Sequence, residues 1–238
     1  MQRDSLGGGD RALCSARLRA GSTCKERTFE SSAGAKLLAG GNLWSTPSDI
    51  PGSYDDLGFA GSGGGFGWGA ALYNEARFIQ HLGIEFAFGY DNSSLFRNVT
   101  IDGVDTKETV SSSGLRMSLL FKGITSAPFG RLWIGLGPEF MFERSTSDSL
   151  EISGQPNQDD VISSTTADSM MLAFALGLVP EIGDKVEIPI DFRAAKNLTQ
   201  DSAWLDRVKV DPANPTSYDV TVQNSWDFRL AVGVGFRF

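Results

Sequence analysis

The sequence contains few residues of the types that build catalytic and metal sites. Its 238 residues include one histidine, His81, and two cysteines, Cys14 and Cys24, both in the N-terminal segment. Two cysteines make neither a disulfide framework nor a zinc-binding pattern, and one histidine without a placed partner is weak support for catalysis. We therefore predict no enzyme activity, no catalytic or metal-binding residues and no cofactor, while the role of the cysteines stays open.

Long apolar runs and basic clusters are also missing. No stretch approaches the roughly 18 consecutive apolar residues of a transmembrane helix. The net charge of −8 argues against nucleic acid as a partner, because phosphate binding needs clustered Lys and Arg. Residues 1–28 carry basic side chains but no apolar signal core, so export would require a signal that this stretch does not supply. We predict that residues 1–30 are disordered.

The C-terminal stretch 226–238 has a strict two-residue period. Its odd-numbered positions are charged or small, and every even-numbered position is apolar: Trp226, Phe228, Leu230, Val232, Val234, Phe236 and Phe238. Successive side chains of a β-strand point to opposite faces, so this strand has one apolar face and one charged or empty face. It is also longer than the roughly 9–11 residues that cross a bilayer in a tilted strand.

Seven further segments show the same alternation. Together with the last, the eight segments cover residues 33–44, 65–73, 77–90, 114–122, 131–143, 172–178, 186–193 and 226–238. Long polar loops at 45–59, 91–110, 145–168 and 197–224 alternate with short turns at 74–76, 123–129 and 180–184. This alternation predicts an all-β chain in which residues 31–238 form a closed eight-stranded antiparallel up-and-down transmembrane β-barrel.

Side-chain size indicates which face lies inside. The apolar faces are too bulky for an eight-stranded interior, whereas the other faces alternate Gly or Ala with charges. A soluble barrel with an apolar interior is the alternative architecture. We predict an interior polar network made of Glu85, Arg116, Glu139, Asp191, Arg193, Asp227 and Arg229. Such a lumen is either a salt-bridged filling or a narrow path for ions or small solutes.

Other expectations follow from this topology. Aromatic residues near the strand ends should lie at the two membrane interfaces. These are Trp44, Tyr90, Phe142 and Trp226 at the loop end, and Phe78, Phe236 and Phe238 at the turn end. The first strand, with Gly40 and Gly41, should form the least regular part of the closure. His81 should point into the lumen near the turn end, far from Ser111–Ser113, which disfavours a lipid-modifying enzyme.

In strand number and loop alternation, residues 31–238 resemble the small eight-stranded outer-membrane proteins of Gram-negative bacteria, of the outer membrane protein A type. Gly233, Phe236 and Phe238 match the C-terminal signal that the barrel-assembly machinery reads in that class, although Ala231 occupies a position that is usually polar. The resemblance implies insertion from the periplasm, termini in the periplasm, four long extracellular loops, and contact with outer-membrane lipid and lipopolysaccharide. It implies a structural or surface-recognition and adhesion role, with a partner of the loops that stays unknown.

Overall fold

The computed structural model describes residues 29–45, 63–78, 81–101, 104–152, 162–183, 185–200, 208–210 and 218–238. The segment predicted to be disordered, with Cys14 and Cys24, lies outside these residues except for its last two positions, where the first strand begins. The described residues include no helix long and apolar enough to cross a membrane.

Eleven strands account for most of the described chain, and their bounds are as follows: β1 Phe29–Ser45, β2 Gly63–Phe78, β3 Leu82–Ile101, β4 Val104–Ala127, β5 Gly130–Ile152, β6 Ile162–Thr166, β7 Ser169–Ile182, β8 Val186–Glu187, β9 Ile190–Asn197, β10 Val208–Val210 and β11 Tyr218–Arg237. β8 and β9 form one barrel strand that Pro189 interrupts, since proline has no N–H to donate.

The barrel strands pair in chain order and close on themselves. β1 to β5, β7, the β8–β9 strand and β11 form successive antiparallel pairs, and β11 returns to pair with β1 from Ser32–Arg237 to Ser45–Gln223. The ring therefore has eight strands, and the predicted fold class is confirmed. Closure of this kind satisfies the backbone groups that an open sheet edge would leave unpaired in hydrocarbon.

The closing pair of strands is regular where we expected it not to be. Gly40 and Gly41 pair without interruption with Arg229 and Phe228, and the one register shift lies between Leu43 and Trp44. A Cβ at Gly40 would stand 1.9 Å from the carbonyl oxygen of Phe228. Glycine at this position allows the two backbones to approach, so it makes the closure regular rather than loose.

Burial is inverted relative to a water-soluble barrel. Outward side chains such as Leu37 and Phe236 are 70% and 53% exposed, whereas the inward Lys36 and Arg229 are 2% and 0% exposed. We call the apolar outer surface of the eight barrel strands the belt. An exterior of large apolar side chains around a charged interior suits hydrocarbon outside and not water. Trp226 and Tyr90 face outward as expected, but Trp44 points inward, where its Nε1 donates to Asn42 Oδ1 at 3.0 Å.

Several strands are longer than the sequence predicted. The expected turn at 74–76 is wrong, because β2 continues through it and places Glu75 and Arg77 in the lumen. The expected loop 91–110 is also wrong, since β3 and β4 remain paired from Asp91–Gly114 to Ile101–Val104. In the β3–β4 extension, outward side chains such as Asn92 and Ser111 are polar, so this segment lacks the apolar alternation that identifies a membrane-facing strand in the sequence.

The predicted loops 145–168 and 197–224 contain further β-structure. β5 continues to Ile152, and β6 pairs in parallel with the start of β11. β10 pairs antiparallel with the same start of β11, from Val208–Val220 to Val210–Tyr218. One end of the barrel thus carries strand extensions. The opposite end of the barrel has the short connections, together with the start of β1 and the end of β11, as the alternation of loops and turns predicted.

Candidate functional site

The lumen is the candidate site, and strand alternation assembles it. Every barrel strand directs alternate side chains inward, and on β1 to β5, β8, β9 and β11 these include charged residues. All seven residues of the predicted interior network lie there, and each is buried. A charge is costly in such a place unless an opposite charge and hydrogen bonds accompany it.

The central cluster is organised by Glu85 on β3. Its carboxylate accepts hydrogen bonds from Lys36 Nζ at 2.8 and 2.9 Å and from Arg193 at 2.8 Å. Lys122 Nζ donates to the same carboxylate at 2.5 Å. Asp191 completes the cluster by accepting from Lys36 Nζ at 2.7 Å. One carboxylate therefore joins cations that come from β1, β4 and β9, on different sides of the lumen.

The loop-end cluster lies further along the lumen and is built around two arginines. Arg229 donates to Asp227 and Asp91 at 3.0 Å, and Arg116 donates to Glu139 at 2.9 Å and to Asp227 at 3.2 Å. Asp91 was assigned to a loop from the sequence, but the continuation of β3 buries it. Two arginines thus face three carboxylates in this cluster.

The turn-end cluster has one side open to solvent. Arg77 donates to Glu30 at 2.7 Å, to Glu75 at 2.6 Å and to Glu187 at 3.0 Å, and Arg131 also donates to Glu187. The Glu30 side chain is 29% exposed, which marks the turn-end mouth.

Two shared residues connect the three clusters into one chain of charges. Glu75 contacts both Arg77 and Lys122, so it joins the turn-end and central clusters. Arg193 lies 3.7 Å from Glu139, which joins the central and loop-end clusters. The lumen is therefore crossed along its length by alternating positive and negative side chains.

One wall of the lumen is apolar, whereas the sequence predicted inner faces that alternate Gly or Ala with charges. A cluster of buried side chains from β4, β5, β7 and β9 covers it: Leu120, Ile124, Trp133, Met171, Ala173, Ala175, Val179 and Ala195. Lys122 Nζ lies 3.9 Å from the centre of the Trp133 ring, in a cation–π contact. This contact joins the apolar wall to the central cluster.

Buried apolar side chains lie at the loop end of the lumen, beyond the charged clusters. Leu95 on β3 and Val110 on β4 are cross-strand partners that point inward and are fully buried. Trp44 is buried at the same end of β1. The charged clusters therefore lie below buried apolar side chains at the loop end, whereas the turn end remains partly open.

His81 occupies a different place from the one expected. It lies in the turn between β2 and β3, is exposed, and its Nδ1 is 3.3 Å from the backbone oxygen of Ile124. β3 begins at Leu82, five residues later than the sequence suggested, which carries His81 out of the lumen. No described serine or carboxylate bonds to its ring.

A closed ring of eight antiparallel strands with an apolar outer wall and an ion-paired lumen defines a membrane-spanning β-barrel. No protein-family model matches the sequence, and no curated protein matches it.

Among solved structures, the chain is similar to small outer-membrane β-barrels. The N-terminal barrel domain of OprF from Pseudomonas aeruginosa shares 10% identity at a TM-score of 0.41, covering 89% of this chain and 98% of that one. OprG of the same organism shares 12% at 0.44, covering 88% and 95%. Ail of Yersinia pestis, crystallised with the heparin analogue sucrose octasulfate, shares 12% at 0.39, covering 89% and 100%.

The substitution Glu85→Gln tests the energetic role of the central cluster. It removes the negative charge shared by Lys36, Lys122 and Arg193, and we expect it to lower the free energy of unfolding by about 3–5 kcal/mol. Urea unfolding of the folded barrel in detergent micelles measures the loss. The control Glu30→Gln changes a partly exposed carboxylate and should cost less than about 1 kcal/mol. Equal losses in the two variants would contradict this role.

Proposed function

We propose that this protein is a barrel of the bacterial outer membrane whose lumen is filled by its own side chains, and that it serves a structural or surface-recognition and adhesion role. The observation that carries the proposal is the chain of ion pairs through the lumen, from Glu30 near one mouth to Asp91 near the other. Side chains that already bond to each other across an eight-stranded interior leave little room for a solute.

The proposed orientation puts both termini and the short turns in the periplasm and the strand extensions outside the cell. Phe236 and Phe238 support it, because they lie on the outer surface at the turn end, 53% and 73% exposed, where an assembly machinery could bind them. Gly233 is required by packing as well, since a Cβ there would stand 2.3 Å from the backbone oxygen of Ala35. Binding of these residues by the barrel-assembly machinery stays part of the proposal.

The strand extensions are the proposed recognition surface. The β3–β4 hairpin continues beyond Tyr90 and Leu115, where the next outward side chains, such as Asn92 and Ser113, are polar, to the Ile101–Val104 pair. Residues beyond the belt contribute nothing to hydrocarbon contact, so their pairing serves a different purpose. Rigid scaffolds commonly present binding surfaces on such projecting segments.

A narrow channel for ions or small solutes is the second candidate. Within the described residues, several buried polar atoms have no hydrogen-bond partner in the protein, among them Trp133 Nε1, Asn42 Nδ2 and Arg193 Nε. Buried polar atoms of this kind are usually satisfied by internal water. A connected file of such waters would make a path for ions past the clusters.

We propose no catalytic role. His81 is the residue that would carry general acid–base chemistry, and it lies in an exposed turn with a backbone oxygen as its neighbour. The end of the barrel where it lies is the proposed periplasmic end.

Conductance across planar lipid bilayers separates the filled barrel from the channel. We expect the wild-type protein to give no discrete openings, because the clusters obstruct the lumen. The sample should first show heat-modifiable migration on a detergent gel, so that an absence of openings is known to come from folded protein. Discrete openings from folded protein would contradict the filled-lumen proposal and support the channel.

Shortening the β3–β4 hairpin tests the recognition surface. Replacing residues 97–108 by Asn-Gly keeps the Leu95–Val110 pair, and Asn-Gly favours the tight turn of a two-residue hairpin. We expect the variant to keep its heat-modifiable migration. Bacteria that display the full-length protein should attach to at least one of a panel of protein- and glycan-coated surfaces more than bacteria with the shortened variant do. Equal attachment on every surface would contradict a role for this hairpin.

A further inference from the structure

One charged side chain interrupts the belt. Of the described outward-facing side chains between the two rims of the belt, Lys196 on β9 alone carries a charge. The other described cations between the rims, such as Lys36 and Arg229, point inward and are paired. A lysine on the lipid-facing side of a barrel costs about 2–4 kcal/mol at the membrane midplane and close to nothing near the interface. Its position along the strand therefore matters.

Lys196 lies close to the loop-end rim of the belt. Its cross-strand partner is Trp226, the last outward aromatic residue of β11 before the register shift at Ser225. β9 ends at the next residue, Asn197, whose side chain binds Asn224 on the inner side of the wall. A lysine at this depth can extend its apolar stem along the barrel wall and place its ammonium group among lipid headgroups.

The ammonium group is held by an aromatic column. Lys196 Nζ lies 5.4 Å from the centre of the Trp226 ring. The ring centres of Trp226 and Phe228 are 6.0 Å apart, and those of Phe228 and Phe192 are 6.5 Å apart. Neighbouring rings are within 20° of parallel, so they form a continuous aromatic surface from the belt to its rim. A cation–π contact orients the lysine while leaving its N–H donors free for an anion.

The charge of Lys196 has no counter-charge in the described protein. No described carboxylate forms an ion pair with it, in contrast to each cation of the three lumen clusters. At the membrane surface the available anions belong to lipid. We infer that Lys196 and Trp226 form a binding site for a phosphate-bearing lipid headgroup of the outer leaflet, with the lipid chains along the Trp226–Phe228–Phe192 column.

This inference rests on the membrane placement and orientation proposed above, and it names the lipid partner of the outer wall. The occupant is a lipid phosphate rather than a free one, because the aromatic column offers contact only to hydrocarbon. The site is built on barrel strands, so it is independent of whether the lumen conducts and of the β3–β4 hairpin.

Native mass spectrometry of the protein released from nanodiscs tests the site. The nanodiscs contain phosphatidylcholine, whose phosphate is neutralised by its own choline cation, with either phosphorylated or dephosphorylated lipid A. We expect the wild type to retain the phosphorylated form about fivefold more, which is the factor that one lysine near an anionic surface supplies. Lys196→Gln should abolish the preference, and Lys196→Arg should keep it. Folding of each variant is checked separately by heat-modifiable migration, so that failed insertion is distinguished from failed binding.

The matched control is Lys107→Gln. Like Lys196, Lys107 lies near an outward ring, with its Nζ 5.9 Å from the centre of Phe96, but it is exposed and belongs to the hairpin beyond the belt. It should leave the preference unchanged. Three results would overturn the inference: a preference that survives Lys196→Gln, an equal loss in Lys107→Gln, or displacement of the lipid by excess inorganic phosphate, which would indicate a site for the free anion.

Discussion

The shared carboxylate of Glu85 is the interaction on which the lumen depends. It holds cations from β1, β4 and β9, so it ties three parts of the wall to β3 through a few hydrogen bonds. Each of these residues points inward only in the observed register. A slip of one residue would turn the charges toward lipid and the apolar side chains into the lumen. The buried charges therefore specify the register, in addition to any stability that they supply.

Small residues on the inner face make room for long cations. A Cβ at Gly67 would lie 2.1 Å from the Arg229 guanidinium, so Arg229 occupies the space that a side chain on β2 would take. On the opposite wall the alanines of β7 and β9 lie beside Trp133 and Met171. The interior is thus filled by a few large side chains from some strands against small ones from others, which is how an eight-stranded interior is closed.

The membrane-facing parts of the fold could be predicted from the sequence because hydrocarbon outside and charge inside impose a two-residue period, as in residues 226–238. Where the sequence departs from this period, the strand bounds predicted from it were wrong. Asn74 and Glu75 have the composition of a turn but continue β2 in alternation. Residues 91–101 and 104–110 mix polar and apolar side chains without a two-residue period, although they form paired strands. The membership of the lumen network followed from alternation, but its pairings did not, since they connect strands distant in sequence. Trp44 was misplaced because aromatic residues occur both at membrane interfaces and in lumens.

Quenching of single tryptophans by lipids with brominated acyl chains tests the inverted arrangement most directly. Variants that keep one tryptophan each, with the others replaced by phenylalanine, compare Trp68 and Trp226 on the outer wall with Trp133 in the lumen. The proposed arrangement predicts strong quenching for Trp68, quenching near the rim for Trp226, and none for Trp133 in folded protein. Quenching of Trp133 together with protection of Trp68 would contradict an apolar wall facing lipid around a charged interior.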